Sequence, residues 1–291
     1  MLPLSHTRTF RVRYYECNAD GFLRVPNALN YIQEAAFDAS AAAGYGEARY
    51  QEMGRVWLTR ENSIEFMRPM RYGDTVEIKT WVQDFRRVRS RRVYEFRVVG
   101  SEEMAARAVT DWVFLDMASH RPVSIPEELA AAFFPNGSTP QAQAREPFPA
   151  RPDQPVGSFT QQRPVTWSDL DPQQHVNNSI YTAYIEDFMS QALGTLKIEP
   201  RGWAIYPRLH RIEHRGQARL GDELTLRMSF AGLDTERGER HCSIQRVSDG
   251  ELVAQGHTVW GYYDEAGEAV RLSQSDFEAL GAALGGERGN G

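Results

Sequence analysis

Two cysteines in 291 residues, Cys17 and Cys242, are too few and too far apart for a disulfide framework, and they fit a reducing compartment. No apolar run approaches the ~20 residues that a helix needs to span a membrane. The opening MLPLSHTRTFRVRYY has no long apolar core behind a basic start, so no signal peptide is expected. A basic excess is missing too. Lys and Arg total 33 against 39 Asp and Glu, a net charge of −6, which argues against nucleic acid as the main partner. There is no phosphate loop, no Gly-x-Ser-x-Gly elbow and no dinucleotide fingerprint. His210, Glu213, His214 and His241 lack zinc spacing, so neither metal nor cofactor is expected. What is present is an ordinary cytoplasmic composition. With 41% hydrophobic and 25% charged residues, the chain holds enough apolar material for one or two cores.

Those cores come from a repeat. Ser63–Ile78, SIEFMRPMRYGDTVEI, matches Arg211–Leu226, RIEHRGQARLGDELTL, at an offset of 148 residues. The same offset aligns Thr110 with Thr258, Trp112 with Trp260 and Asp116 with Asp264. Nearer the front of each copy the offset is 153, setting Glu16-Cys17-Asn18 against Asp169-Leu170-Asp171 and Tyr31 against Tyr184. Order, spacing and residue type persist together, so the chain reads as two copies of one domain. The expected boundaries are 1–134, a Pro/Gln/Ala/Ser-rich linker over 135–161, and 162–291.

Each copy has the same layout. A short strand comes first, Phe10–Glu16 or Gln162–Ser168, followed by a turn and one strong helix. The first helix, about Pro26–Ala43, carries Ala28, Leu29, Ile32, Ala35, Ala36 and Ala39 on one face. The second, about Asn178–Leu193, carries Ile180, Tyr181, Tyr184, Ile185, Phe188 and Met189. Alternating strands such as TVEIKTWV, RRVYEFRVV, ARAVTDWVFLD and ELTLRMSF follow, and a short helix closes each copy. One long helix plus consecutive antiparallel strands is an α+β plan, with the helix buried against a curved sheet. A parallel βαβ sheet is the runner-up, but helices do not alternate with strands.

The stretch WSDLDPQQHVNN, immediately before the second helix, packs two acids, a histidine and two asparagines together (Asp169, Asp171, His175, Asn177, Asn178). Capping alone predicts Asp, Asn and Ser there, and Asn178 is the expected N-cap. The repeat supplies a control. The first copy starts its helix with NADGFLRVPN, where Asn18 stands for Asp171 and Phe22 for His175. The fold therefore begins this helix without the acid or the histidine, and their presence in one copy points to chemistry. Trp112, Trp260, Tyr31 and Tyr184 are repeat-matched and belong to the core.

The D-x-D-x-x-x-H-V-N-N motif before one long helix resembles the hotdog-fold thioesterases, and two such domains in one chain resemble the acyl-ACP thioesterases. The blocks FRVRYYECNADGFLRVPNALNYIQEAA, RPMRYGDTVEIKTWV and VFLDMASHRPVSIPEEL are similar to family blocks in the same order. The resemblance implies two tandem hotdog domains. The second would hydrolyse fatty acyl-ACP to free fatty acid without a cofactor, and the first would shape the acyl pocket. The implied partner is an acyl carrier protein with a phosphopantetheine-linked acyl chain. The family's Asp and His fall on Asp171 and His175, and its intervening Asn falls on Gln173. A Glu-Cys pair of the plant members falls on Gln217 and Ala218, which removes a thiol nucleophile and puts a second carboxylate in doubt.

Thioester hydrolysis needs an activated water or a nucleophilic carboxylate, together with a site for the developing oxyanion. Asp171, Gln173, His175 and Asn177 are the candidate catalytic residues, with Val176, Asn178 and Gln217 supporting. The first amides of the helix, around Val176–Ser179, offer an oxyanion site. Either His175 is the base and Asp171 orients it, or Asp171 attacks or activates water. Hotdog thioesterases in general place a carboxylate there, which makes Asp171 the essential acid. The run RRVRSRR (Arg86, Arg87, Arg89, Arg91, Arg92) reads first as a solvated hairpin and second as a dock for an acidic carrier. An acyl-CoA thioesterase of the same fold, a hotdog hydratase, a non-catalytic acyl-carrier or acyl-lipid binding module, and a further pairing into a homodimer remain open alternatives.

Overall fold

Alternation of buried and exposed residues sets the strands of the first copy. In β3 (Thr75–Arg86) Val76, Ile78, Thr80, Val82 and Asp84 are buried while Glu77 and Lys79 face water, the period of two that puts alternate side chains on opposite faces. The computed structural model describes residues 3–135, 137, 140–194, 202–285 and 287–289. Its two compact units part between Pro147 and Phe148.

In the first unit β1 (Ser5–Arg11), β2 (Arg55–Phe66), β3, β4 (Arg89–Val98) and β5 (Met104–Asp116) pair antiparallel in the order β1-β3-β4-β5-β2. The long helix α1 (Val25–Ala42) has Pro at its first turn, where a missing N–H costs nothing, and buries all six residues expected of its apolar face. Four of those six are alanines, so the sheet approaches the helix closely. Phe10 of β1 stacks on Tyr31 with centroids 4.4 Å apart, and Arg8 reaches Asp38 at 2.5 Å. A short helix, α2 (Glu47–Glu52), was not expected and lies where the repeat offset changes from 153 to 148. The closing helix α3 (Glu127–Phe133) packs Leu129 and Phe133 with Tyr45, Val82, Phe114 and Phe134.

The second unit repeats this plan. β6 (Gly157–Pro164), α4 (Asn178–Gly194), β7 (Ala204–His214), β8 (Glu223–Ala231), β9 (Arg237–Arg246) and β10 (Leu252–Tyr263) match their counterparts at the two offsets read from the sequence. Strand order is β7-β10-β9-β8-β6, with two-residue β11 (Ala269–Val270) on β10 and β12 (Glu287–Gly289) parallel to β6; α5 (Gln274–Leu284) closes the unit. On α4, Tyr181, Tyr184, Ile185, Phe188 and Met189 are buried and Ile180 is half-buried. At Gly256 of β10 a Cβ would lie 2.5 Å from Ile185 Cδ1, so glycine is what lets α4 seat on the sheet. Trp112 and Trp260 are both buried. Each large apolar side chain so placed contributes about 1.5–3 kcal/mol. This is the α+β hotdog architecture, and among the described residues no helix is long and apolar enough to cross a membrane.

Two expectations need correction. The opening strands lie earlier than read, at Ser5–Arg11 and Gly157–Pro164, because the residues taken as strand ends fold into 3-10 turns at Tyr14–Glu16 and Trp167–Asp169. There the carboxylates of Glu16 and Asp169 reach back to the amides of Arg13 and Thr166, at 2.7 Å in both cases. Regular structure also resumes at Gly157 rather than 162. The polar composition of GSFTQQRP hides a strand held by pairing with β8. The segment before Pro147 is not a free tether. Arg145 forks onto Asp84 (2.6 and 2.9 Å) and ion-pairs with Asp111 (3.0 Å) on the sheet of the first unit.

Candidate active site

The loop between the 3-10 turn and α4 is closed by its own backbone. Asp171 N–H donates to the His175 carbonyl (3.0 Å) and Gln174 N–H to the Asp171 carbonyl (2.9 Å). Gln174 takes the left-handed conformation, φ 62°, which an L-residue adopts at a cost of about 1–2 kcal/mol. That twist turns the chain so that Asp171 and His175 meet. Asp171 Oδ1 accepts the Gln173 N–H at 2.9 Å, while Oδ2 lies 3.5 Å from His175 Nδ1. Both side chains are largely out of water, 15% and 8% exposed.

The imidazole is held at both nitrogens. Nδ1 faces the Val176 carbonyl at 3.2 Å as well as Asp171, and Nε2 faces Gln173 Oε1 at 3.3 Å. Two acceptors at Nδ1 call for a proton there. A neutral ring protonated at Nδ1 leaves a lone pair on Nε2, and the Gln173 amide then has to turn its NH2 toward it. A doubly protonated ring donates to every acceptor as placed. Gln173 can therefore follow the histidine through a proton cycle, which a fixed carbonyl at the same place could not do.

The start of α4 revises two expectations. The N-cap is Asn177, not Asn178: its Oδ1 accepts the Ser179 N–H (3.0 Å) and hydroxyl (2.9 Å). Of the amides expected to form an oxyanion site, Val176 donates to the Ala218 carbonyl (2.8 Å), Asn177 to the Asp169 carbonyl (2.9 Å) and Ser179 to its cap. Val176 is thus a tie rather than an oxyanion donor. Among the described residues, the Asn178 N–H alone of this set carries no hydrogen bond, and it sits at the positive end of the helix.

Gln217 and Ala218 are brought to the loop by that Val176–Ala218 bond. Ala218 N–H donates to the hydroxyl of Tyr181 (3.0 Å), and Arg246 Nη1 donates to the Gln217 carbonyl (2.7 Å). Sequence reading placed Tyr181 on the apolar face and overlooked Arg246. The polar tip of Tyr181 was a signal, since a buried phenol needs a partner. Burial pushes that phenol up to about 12. Deeper in the unit, His210 bridges Thr182 of α4 (3.1 Å) and Thr258 of β10 (2.9 Å), and burial pushes it down to about 3. It is a neutral structural histidine.

The family model for the acyl-ACP thioesterase N-terminal domain matches residues 3–133, and that for the thioesterase-like superfamily matches residues 165–280. In its first copy the chain thus matches the acyl-ACP thioesterase family, and in its second the wider thioesterase superfamily. It is 26% identical over 268 residues to a chloroplastic palmitoyl-acyl carrier protein thioesterase of Cuphea hookeriana, covering 87% of this chain and 61% of that one. It is 24% identical over 266 residues to a chloroplastic dodecanoyl-acyl carrier protein hydrolase of Cinnamomum camphora, covering 87% and 66%. The chain thus spans somewhat less than two thirds of the length of these plant relatives. The fold is shared with a 12:0-ACP thioesterase from Umbellularia californica (TM-score 0.70, 20% identity, 88% of this chain and 96% of that one). An acyl-ACP thioesterase from Bacteroides thetaiotaomicron gives TM-score 0.70 at 18% identity, covering 88% and 97%.

Within this chain, the first copy traces the same loop without the acid and the histidine. Asn18 N–H donates to the Phe22 carbonyl (2.8 Å), Leu23 N–H to the Met70 carbonyl (2.7 Å), and Arg24 N–H to the Glu16 carbonyl (2.9 Å). Gly21, φ 81°, stands where Gln174 stands. The Tyr31 hydroxyl donates to the Glu16 carboxylate, and burial with that carboxylate raises the phenol; Tyr184, beside Asp169, is raised for the same reasons.

The arginine run divides. Arg86 and Arg89 flank the two-residue turn of the β3–β4 hairpin and, with Arg87, are exposed. Arg91 pairs with Asp111 (3.0 and 2.5 Å), and Arg92 is buried, 5.4 Å above the Phe133 ring. Arg92 is withdrawn from any docking role, because an interior guanidinium cannot meet a partner, and the charge of half-buried Arg91 is already paired with Asp111.

Proposed function

We propose that the chain hydrolyses fatty acyl-ACP thioesters to free fatty acid in the cytoplasm, with His175 as base and Asp171 as its orienting carboxylate. One observation carries this reading: the Asp171–His175 pair is built into a loop whose twin holds its shape with Asn18 and Phe22. Asp171 holds the Nδ1 side of the ring, which leaves Nε2 to take a proton from water. Water adds to the thioester carbonyl, and the resulting oxyanion is stabilised by the Asn178 N–H at the helix start and by the Nδ2 group of Asn177. Collapse breaks the C–S bond, and the imidazolium returns its proton to the leaving thiolate. Gln173 tracks the Nε2 proton. Gln217 supplies a neutral amide where plant relatives are expected to carry a carboxylate, so one carboxylate suffices. Arg86, Arg87 and Arg89 are the exposed charges for an acidic carrier protein.

The test offers purified protein acyl-ACP and acyl-CoA of several chain lengths. Release of free thiol from acyl-ACP at higher kcat/KM is expected. Faster turnover of acyl-CoA would replace the substrate assignment, and binding without turnover would make the chain a binding module. Arg86→Glu with Arg89→Glu is expected to raise KM for acyl-ACP at low salt with kcat unchanged. An unchanged KM removes the docking role.

A further inference from the structure

The face of the second sheet turned away from α4 carries a second cluster. Gly256 meets Ile185 of α4, and Thr258 joins His210 and Thr182, so the even-numbered residues of β10 face the helix and His257 faces the other way. His241 of β9 is directly opposite His257, and Glu239 is two residues from His241 on the same face. The two imidazoles lie with centroids 4.5 Å apart, 9% and 6% exposed, and His257 Nε2 is 3.5 Å from Glu239 Oε2. One donor atom from each of the three residues falls within 4.8 Å of the others.

We propose that Glu239, His241 and His257 bind one divalent transition-metal ion of the zinc, nickel or cobalt class. Two observations support the site. Two donors each ~2.1 Å from a tetrahedral zinc lie ~3.4 Å apart, so the Glu239–His257 separation already fits and His241 closes by ring rotation. Two histidines and a carboxylate with open positions are a donor set that borderline divalent ions take.

The twin argues against a role in folding. At the 148 offset, Glu239, His241 and His257 correspond to Arg91, Val93 and Val109, with Val93 directly opposite Val109. The architecture thus builds this patch from valines and has no need of imidazoles. The charges facing the pair are Arg151, which opposes protonation of His241, Arg211, which opposes protonation of His257, and Glu239. The two guanidiniums also oppose a metal, so the site binds more weakly than a four-ligand zinc site. The sequence hid the group because Glu239 and His257 are brought together only by β-pairing.

The full-length chain, stripped with a chelator and equilibrated with Zn2+, is expected to retain one zinc per chain by elemental analysis and to melt higher with zinc than without. Co2+ in its place is expected to give visible d–d absorption. His241→Val with His257→Val, the residues of the first copy, abolishes binding while acyl-ACP hydrolysis continues, because the cluster lies on the face away from α4. Glu239→Gln, at the more exposed end, weakens binding by more than the ~10- to 100-fold that losing an outer partner of a metal ligand costs. Failure of the wild-type chain to retain zinc overturns the proposal, as does undiminished binding in either variant.

Discussion

The loop from Glu16 to Asn27 and the loop from Asp169 to Ile180 run the same course on different side chains. Both begin in a 3-10 turn closed by a buried carboxylate, both tie residue i+4 back to residue i, and both anchor to a neighbouring backbone carbonyl, Met70 or Ala218. The first fills its centre with Phe22 and turns at Gly21. The second puts His175 there, turns at Gln174, and sets a carboxylate against the ring. What the two share is the requirement of the fold. What the second alone carries is the Asp171–His175 pair, and it carries it at a cost, since a buried imidazole and a left-handed glutamine both destabilise relative to phenylalanine and glycine.

The largest test of that separation exchanges the residues. Asp171→Asn and His175→Phe install the first loop's side chains in the second, and each is expected to lower kcat by about 10²–10⁴-fold with the melting temperature held or raised. Activity surviving both substitutions breaks the assignment. The reverse exchange, Phe22→His, puts an imidazole into an apolar site that is 1% exposed and is expected to cost the first unit about 2–4 kcal/mol in a denaturant titration.

Acid separates the units next. The second holds His210, pushed down to about 3, and His241, pushed down to about 4, whereas the only histidines of the first unit are His6 and His120, neither of them buried. In an unfolded chain these groups protonate near pH ~6.5. Between that pH and their folded values the unfolded state binds more protons, so stability falls as pH falls. The second unit is expected to unfold first on acidification, and His210→Asn should flatten its pH dependence. Equal acid sensitivity of the two units would contradict this.

Smaller effects refine the picture. Tyr181→Phe leaves the Ala218 N–H without its acceptor and is expected to cost about 1–2 kcal/mol, with a loss of kcat as the 217–218 corner loosens. Gln174→Gly gives the second loop the residue of the first and is expected to stabilise by up to about 1 kcal/mol without loss of turnover. A loss of turnover there would mean that the Gln174 side chain, and not only its backbone, serves the reaction.

Much of this was legible in the residues. Helix faces and strands rest on periodicity, and the two offsets carried the register of one copy onto the other. The pairing of Asp171 with His175 followed from a four-residue spacing inside one turn. What stayed hidden depended on contacts distant in sequence. The tie of Val176 to Ala218 consumes an amide that a helix start otherwise leaves open. Arg92 reads as one more surface charge until the strand turns it inward. Asn177 and Asn178 are equivalent as letters, and only backbone geometry decides which of them caps.

The free thiol of Cys242 has a practical consequence. It is buried in β9, one residue beyond His241, and burial pushes it up to about 12, so it reacts with a thiol reagent only when the second sheet opens. Half-exposed Cys17 lies in the silent loop of the other unit. The rate at which Cys242 is labelled, corrected for the free thiol's own reactivity, therefore reads the opening free energy of the second unit from within the native chain. The protein already contains the probe needed to separate a variant that has lost chemistry from one that has lost its fold.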